Sequence, residues 1–212
     1  MALASENSIV NGIFRTRKLF AKSESSVTKE IALVCIGSIL LAISAQYKVP
    51  LWPVPITLQS LVVMLLGTIY GWRLGAITIV AYWAEGIAIG GLFSHIPWFA
   101  NGSGLLYFTG SPSAGFLWGF LPMVFIIGFL NDKLNWRESK ITILMSLVVG
   151  QSTLYFVGLS HAFWIILPEV DWMSNGNEML NIYLYPFLIG DTIKTLLAGV
   201  ITIKAVRMVK KF

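Results

Sequence analysis

Charge is what this sequence has least of. Asp, Glu, Lys and Arg make up 12% of its residues, about half the share of a soluble domain, which excludes an ordinary globule with a water-facing surface. A single cysteine, Cys35, excludes a disulfide framework and a thiolate metal site. It lies in an apolar run and reads as a small packing residue. The two histidines, His95 and His161, have ligand spacing neither to each other nor to acids, so neither reads as a metal ligand. No phosphate loop of the form Gly, four residues, Gly-Lys-Ser/Thr occurs, which excludes ATP hydrolysis by that device. Nor is there a set of nucleophile, base and orienting group. The chain therefore reads as a non-enzyme without a cofactor. Residues 1–28 carry Arg15, Arg17, Lys18 and Lys22 but no uninterrupted apolar core, so a cleaved signal peptide is not expected.

What fills the sequence is apolar: 56% of its 212 residues are hydrophobic, with a mean hydropathy of +0.76. Helices of about 20 residues cross a ~30 Å hydrocarbon layer, and six apolar runs qualify, near 30–46, 57–72, 74–92, 113–131, 140–166 and 186–208. The expected fold is an all-α membrane protein, a bundle of six transmembrane helices in one membrane domain (29–212) after an N-terminal segment (1–28). It is multi-pass in the cell membrane, with lipid around it. The formal charge of +5 does not indicate nucleic acid, because the basic residues sit outside the apolar runs and no basic face alternates with aromatics. It reads instead as membrane orientation. A cytoplasmic N-terminus puts 13 of the 15 Lys and Arg residues inside, leaving out only Lys48 and Lys194; both termini are then cytoplasmic. The outer connections become 47–56, rich in proline, 93–112, rich in Gly and Ser, and 167–185, which carries Glu169, Asp171 and Glu178.

An ionised group at the centre of a span costs about 2.5–3.5 kcal/mol on insertion scales, so each needs a reason. Asp191 and Lys194 are three residues apart and share a helical face. They read either as an internal ion pair that permits insertion or as a ligand site reached from outside, offering an ammonium and a carboxylate. Glu85, in the third run, is placed to partner Lys194 or to line the same cavity. Thr57 either caps the second helix or joins Gln59, whose amide is suited to a ligand. Gln151, Tyr155 and Gly158 fall at helical spacing as a small, polar stripe, which is more often a helix contact than a site.

These segments resemble a known family. Val54-Pro55-Ile56-Thr57-Leu58-Gln59, Gly71-Trp72-Arg73-Leu74-Gly75-Ala76, Tyr82 with Glu85 and Gly86, Pro112 to Phe120, and above all Pro186-Phe187-Leu188-Ile189-Gly190-Asp191-Thr192-Ile193-Lys194 resemble BioY, the biotin-specific S component of energy-coupling-factor (ECF) vitamin transporters. The resemblance runs from about residue 30 to 200. One departure is Ser111-Pro112-Ser113-Ala114-Gly115-Phe116, where the family shows Gly-Pro-Thr-Gly-Gly-Tyr. The resemblance implies capture of biotin on the outer face, energised by a transmembrane coupling protein and paired ATPases. Biotin needs a cation for its carboxylate, an acceptor for its ureido N–H groups, a donor for its carbonyl and aromatic walls. Lys194, Asp191, Gln59 or Asn101, and Tyr107 or Trp98 match those needs; Thr57, Glu85 and Tyr155 complete the expected set. Lys194 either holds the carboxylate or orients Asp191. Asn101, Ser103 and Tyr107 ride on a loop suited to act as a lid. A small-residue patch on the first helix, Ala32, Ser38 and Ala42, is the expected contact for the coupling subunit. An S component for riboflavin or thiamine is the alternative; an intramembrane lipid-modifying enzyme is a more distant one.

Overall fold

The computed structural model describes residues 24–93, 96–163 and 180–210. The first helix, α1 (Glu24–Gln46), carries no proline and runs well past the length needed to cross a bilayer. It ends where Pro50, Pro53 and Pro55 make helix impossible to continue. There the chain forms a two-stranded antiparallel ribbon, β1 (Lys48–Val49) and β2 (Ile56–Thr57), pairing Lys48 with Thr57 and Val49 with Ile56.

Helix α2 (Gln59–Leu65) continues as a π-helical turn, Leu66–Tyr70, and stops at Gly71, where α3 (Gly71–Leu92) starts. By length and composition 59–90 is one long apolar stretch. Gly71 breaks it, with φ of +77°, a conformation open to glycine and strained for other residues. The two arms then run antiparallel: Nε2 of Gln59 donates to the Tyr82 hydroxyl at 2.8 Å, whereas a continuous helix would separate these residues by roughly 34 Å. The tight hairpin expected from Gly71-Trp72-Arg73 is therefore present.

A short helix, α4 (Gly104–Gly110), lies within the 93–112 connection, where no element was expected. Next come α5 (Ala114–Lys133) and α6 (Lys140–His161), joined by a 3₁₀ turn at Trp136–Glu138. Ser139 caps α6 by accepting from the backbone N–H of Ile141 at 3.3 Å. The last helix, α7 (Tyr185–Lys210), follows a helical turn at 180–183. The helix bounds otherwise agree with the expected runs to within a few residues, except that α1 reaches back to Glu24, inside the segment assigned as 1–28. The expected end of the fifth run at 164–166, most of the 167–185 connection, and Arg15, Arg17, Lys18, Lys22, His95 and Lys211 lie outside the described residues.

Large apolar side chains cover the outside of the bundle, unlike a soluble protein, and several polar side chains lie within its apolar core. Ser38, Thr78, Asn131 and Ser146 are fully buried, while Phe156 and Ile189 are about three-quarters exposed at 74% and 76%. Ile36, Ile43, Ile77, Val80, Val148 and Ile193 also face outward. An apolar surface of this extent belongs in lipid, and among the described residues five stretches are long and apolar enough to cross a membrane. The chain is a multi-pass membrane protein. Its interior is built on Tyr82, Phe99, Met64, Ile79, Met123 and Ile127, all fully buried.

The α2–α3 turn and the α5–α6 turn meet at one end, where the N–H of Trp72 donates to Asp132 Oδ2 at 3.3 Å. Arg73, Lys133, Arg137 and Lys140 cluster there. At the opposite end the ribbon meets the 97–101 stretch, and Lys48 is the one basic residue among those described.

Candidate functional site

Three elements besides α7 itself, namely β2, α2 and α6, bond to the Asp191–Lys194 turn. Nζ of Lys194 lies 2.5 Å from Asp191 Oδ1, and also donates to the Thr57 carbonyl at 2.8 Å and to Ser60 Oγ at 3.0 Å. All three of its protons are thus placed. Ser60 passes its own proton to Asp191 Oδ1 at 3.4 Å. The other carboxylate oxygen, Oδ2, accepts from Gln151 Nε2 at 2.8 Å and from the Tyr155 hydroxyl at 2.5 Å. Asp191 and Lys194 are 5% and 7% exposed, a depth at which separated charges would be very costly and a closely bonded pair is tolerated.

The pair sits in the wall of a half-open cavity whose empty space, counted together with its open mouth, is about 530 Å³. Thr57, Gln59, Ser60 and Ser113 join the pair as its polar part. Tyr107, Phe116, Phe120 and Phe187 supply its aromatic part, and Val54, Pro55, Leu117 and Leu154 also line it. Phe116 and Phe187 are stacked at 5.9 Å between centroids, and Tyr107 is braced by stacking on the buried Phe99 at 5.8 Å. The lining thus combines apolar, largely aromatic surface with several hydrogen-bonding groups.

Local sequence explains these positions. α2 is only twelve residues long with its π turn, about 18 Å, so the ribbon brings the chain to Thr57, Gln59 and Ser60 at the depth of the bundle. Gln59 is fixed by its bond to Tyr82 and by the Thr57 hydroxyl at 3.4 Å, which leaves one N–H and acceptor capacity unused. Gly115 lets α5 approach α6: a Cβ there would fall 2.2 Å from that of His161.

Of the expected site residues, the structure brings together Asp191, Lys194, Gln59, Thr57 and Tyr107 on the cavity wall. Tyr155 is not on that wall: it bonds to Asp191, packs against the cluster that includes Val54 and Phe187, and lines an apolar groove between α6 and α7 together with Gln151, Leu188 and Leu196. Asn101 is exposed and its Oδ1 accepts from Lys48 Nζ at 2.6 Å. Ser103 has a buried hydroxyl without a partner among the described residues and is not on the wall. Trp98 packs against the core rather than walling the cavity.

Two placements are corrected. Glu85 neither pairs with Lys194 nor lines the cavity; it turns towards α1 and accepts from Ser38 Oγ at 2.9 Å. The patch Ala32, Ser38 and Ala42 is not one open face either. Ser38 is 0% and Ala42 7% exposed, both turned into the bundle, and only Ala32 is exposed. Spacing on an apolar helix does not distinguish the face that packs inward from the one that meets lipid. Ser60, Ser113, Phe116, Phe120 and Phe187 were not singled out as site residues. Ser113, Leu117 and Phe120 do recur at helical spacing, but α5 is apolar all round and the pattern has no contrast to show against. Gln151 was read as part of a helix-contact stripe, which the bond to Asp191 partly vindicates.

The sequence model of the BioY family matches residues 15–211. A probable biotin transporter BioY from Pyrococcus horikoshii is 34% identical over 144 residues, 67% of this chain and 85% of that protein. The biotin transporter BioY of Thermotoga maritima is 30% identical over 165 residues, 78% of this chain and 88% of its own. In fold, the chain is similar to the crystal structure of an S-component for biotin from an ECF-type ABC transporter, with a TM-score of 0.70 over 88% of this chain and 95% of the other at 23% identity. With nearly its whole length matched, the chain belongs to the BioY family.

Proposed function

We propose that this chain captures biotin in the Asp191–Lys194 cavity from the outer side of the cell membrane, as the substrate-binding component of an ECF-type transporter. The observation that carries the reading is the bonded Asp191–Lys194 pair set in the wall of a cavity that aromatic side chains also line. Biotin presents matching chemistry: two ureido N–H groups for the Asp191 carboxylate, a carbonyl for the unused Gln59 amide proton, and a thioether bicycle for Phe116, Phe120 and Phe187. Its carboxylate would draw on Lys194 or on the hydroxyls of Ser60 and Ser113. Lys194 is already bonded to Asp191, which supports the orienting role.

The transport topology follows from charge. We take the chain to cross the membrane six times, α2 and α3 as separate crossings, with both termini and the Arg73, Lys133, Arg137 and Lys140 cluster in the cytoplasm. The cavity then opens outward. Uptake relies on a coupling protein and paired ATPases, since this sequence has no phosphate loop, and on no cofactor.

The test is binding by the purified protein in detergent or nanodiscs. Biotin is expected to be retained in preference to riboflavin and thiamine, and Asp191→Asn and Lys194→Ala each to lose about 100-fold or more in affinity, the scale set by removing one member of a buried charged pair. Wild-type affinity in both variants would end the site assignment; tighter binding of riboflavin or thiamine would move the chain to another vitamin.

A further inference from the structure

Residues 97–101 contribute Ala100 to the cavity wall but form neither helix nor strand. Backbone carbonyls in such a stretch lack the partners a ladder supplies and must find donors elsewhere. Four in succession find them on side chains. Pro97 O and Phe99 O accept from Gln46 Nε2 at 2.6 and 3.2 Å. Trp98 O accepts from the Tyr82 hydroxyl at 3.2 Å, and Ala100 O from Nζ of Lys48. The same ammonium donates to Asn101 Oδ1 at 2.6 Å, and the Asn101 N–H donates to the hydroxyl of the wall residue Tyr107 at 3.3 Å. The donors stand on α1, β1 and α3, so an irregular segment of the wall is tied at every residue to the regular bundle. Lys48 is the charged tie. Among the described residues no carboxylate is within ion-pair distance of it, and its position outside the cavity lining separates it from direct ligand contact.

We propose that Lys48 is a positioning residue: it latches the 97–101 stretch across the cavity and so sets how fast bound ligand leaves. This rests on the cavity being the biotin site. Hydrogen bonds from an ionised donor are roughly twice as strong as neutral ones, and Lys48 makes two of them to adjacent residues. Opening the wall at Ala100 requires both to part, together with the strain passed to Tyr107 through Asn101. Contacts of this kind govern dissociation far more than association.

Lys48→Met keeps the length of the apolar stem and removes the donors; Lys48→Arg restores them. Ser103→Cys in a Cys35→Ser background provides a readout without ligand, because the Ser103 hydroxyl is buried just beyond the latched stretch. Lys48→Met is expected to speed maleimide labelling of that thiol about tenfold and to speed biotin release about tenfold, with association changed less than about threefold. Lys48→Arg is expected to restore both rates. Should Lys48→Met fail to fold, Asn101→Ala, which removes one acceptor, is expected to give about a threefold effect in the same assays. Labelling rates independent of position 48 overturn the latch; faster labelling with unchanged release overturns its control of the ligand. Lys48-dependent labelling in a protein that binds no biotin would leave the latch standing and strike the site reading instead.

Discussion

Among the described residues, one buried ion pair lies towards each end of this bundle, and the immediate chemistry of the two is nearly the same. Arg137 Nη2 is 2.6 Å from Asp132 Oδ1, and Lys194 Nζ is 2.5 Å from Asp191 Oδ1, with all four side chains at or below 10% exposure. The surroundings differ. Asp132 also accepts the Trp72 N–H and presses on Gly71, where a Cβ would fall 2.2 Å from Asp132 Oδ2. Arg73 caps the corner from outside, its guanidinium 4.7 Å from the Trp72 ring centroid. Asp132 and Arg137 line neither of the cavities described above, and the pair fastens the α2–α3 turn to the α5–α6 turn. Asp191 and Lys194 are bonded as thoroughly but face a cavity and are ringed by hydroxyls and amides that can change partner. Burial and pairing alone therefore do not mark a binding site; adjoining space and exchangeable neighbours do.

The largest expected effect separates the two pairs by function. Asp132→Asn should leave biotin affinity within about twofold of the unsubstituted protein while lowering stability by on the order of 3 kcal/mol, the scale for removing one charge of a buried pair. Asp191→Asn should do the opposite in binding, losing about 100-fold or more. Isothermal titration together with denaturation in detergent measures both quantities on the same samples. Loss of binding in both variants would mean that the two ends are one mechanical unit.

The two pairs also differ in how visible they were in the sequence. Asp191 and Lys194 stand in the middle of an apolar run, where any charge needs a reason, and spacing of three placed them on one face. Asp132 and Arg137 flank a turn, where charges are ordinary, and only the fold brings Gly71 and Trp72 against them. The helices were legible for the same reason as Asp191: apolar runs bounded by Pro, Gly and charge contrast sharply with their breaks. Contrast was missing within α5, uniformly apolar, so Phe116 and Phe120 could not be separated from lipid-facing Phe125 and Phe129. It was missing on α1 too, where Ser38 and Ala42 carry no mark of the face they occupy. The 93–112 connection looked like a flexible lid because Gly and Ser dominate it; the bonds that hold it come from Gln46, Lys48 and Tyr82, far away in sequence.

A smaller effect tests the difference in packing. At Gly128 a Cβ would lie 2.2 Å from the Trp72 backbone nitrogen and 2.5 Å from its Cα, atoms that can yield only if the turn moves. Gly128→Ala should cost about 2 kcal/mol of stability, as overpacking usually does, without a change in biotin affinity. At Gly190, next to Asp191, the nearest atoms to a Cβ are Ile56 Cγ2 at 3.7 Å and Lys194 Cε at 4.0 Å, ordinary contact distances. Gly190→Ala should fold at least as well as the unsubstituted chain, with a helix-propensity gain of up to about 1 kcal/mol. Equal destabilisation by the two substitutions would show the site end to be packed as rigidly as the other.

The smallest expected effect concerns Glu85, an acid at membrane depth that belongs to neither pair. Its Oε1 accepts from Ser38, while Oε2 is buried without a partner among the described residues. An amide in the same place keeps an oxygen to accept from Ser38 and removes a charge that has no cation beside it. Glu85→Gln should therefore leave biotin affinity within about twofold and stability within about 1 kcal/mol of the parent, a change in the range of one ordinary hydrogen bond. Glu85→Leu also strips Ser38 of its acceptor on α3, yet the Ser38 hydroxyl can still turn to the Cys35 carbonyl, 3.1 Å away, so its cost should also stay near that of a single bond. A large loss of binding in Glu85→Gln with stability unchanged would place a functional carboxylate on the α1–α3 face, away from both pairs, and membrane depth would then predict function better than adjoining space does.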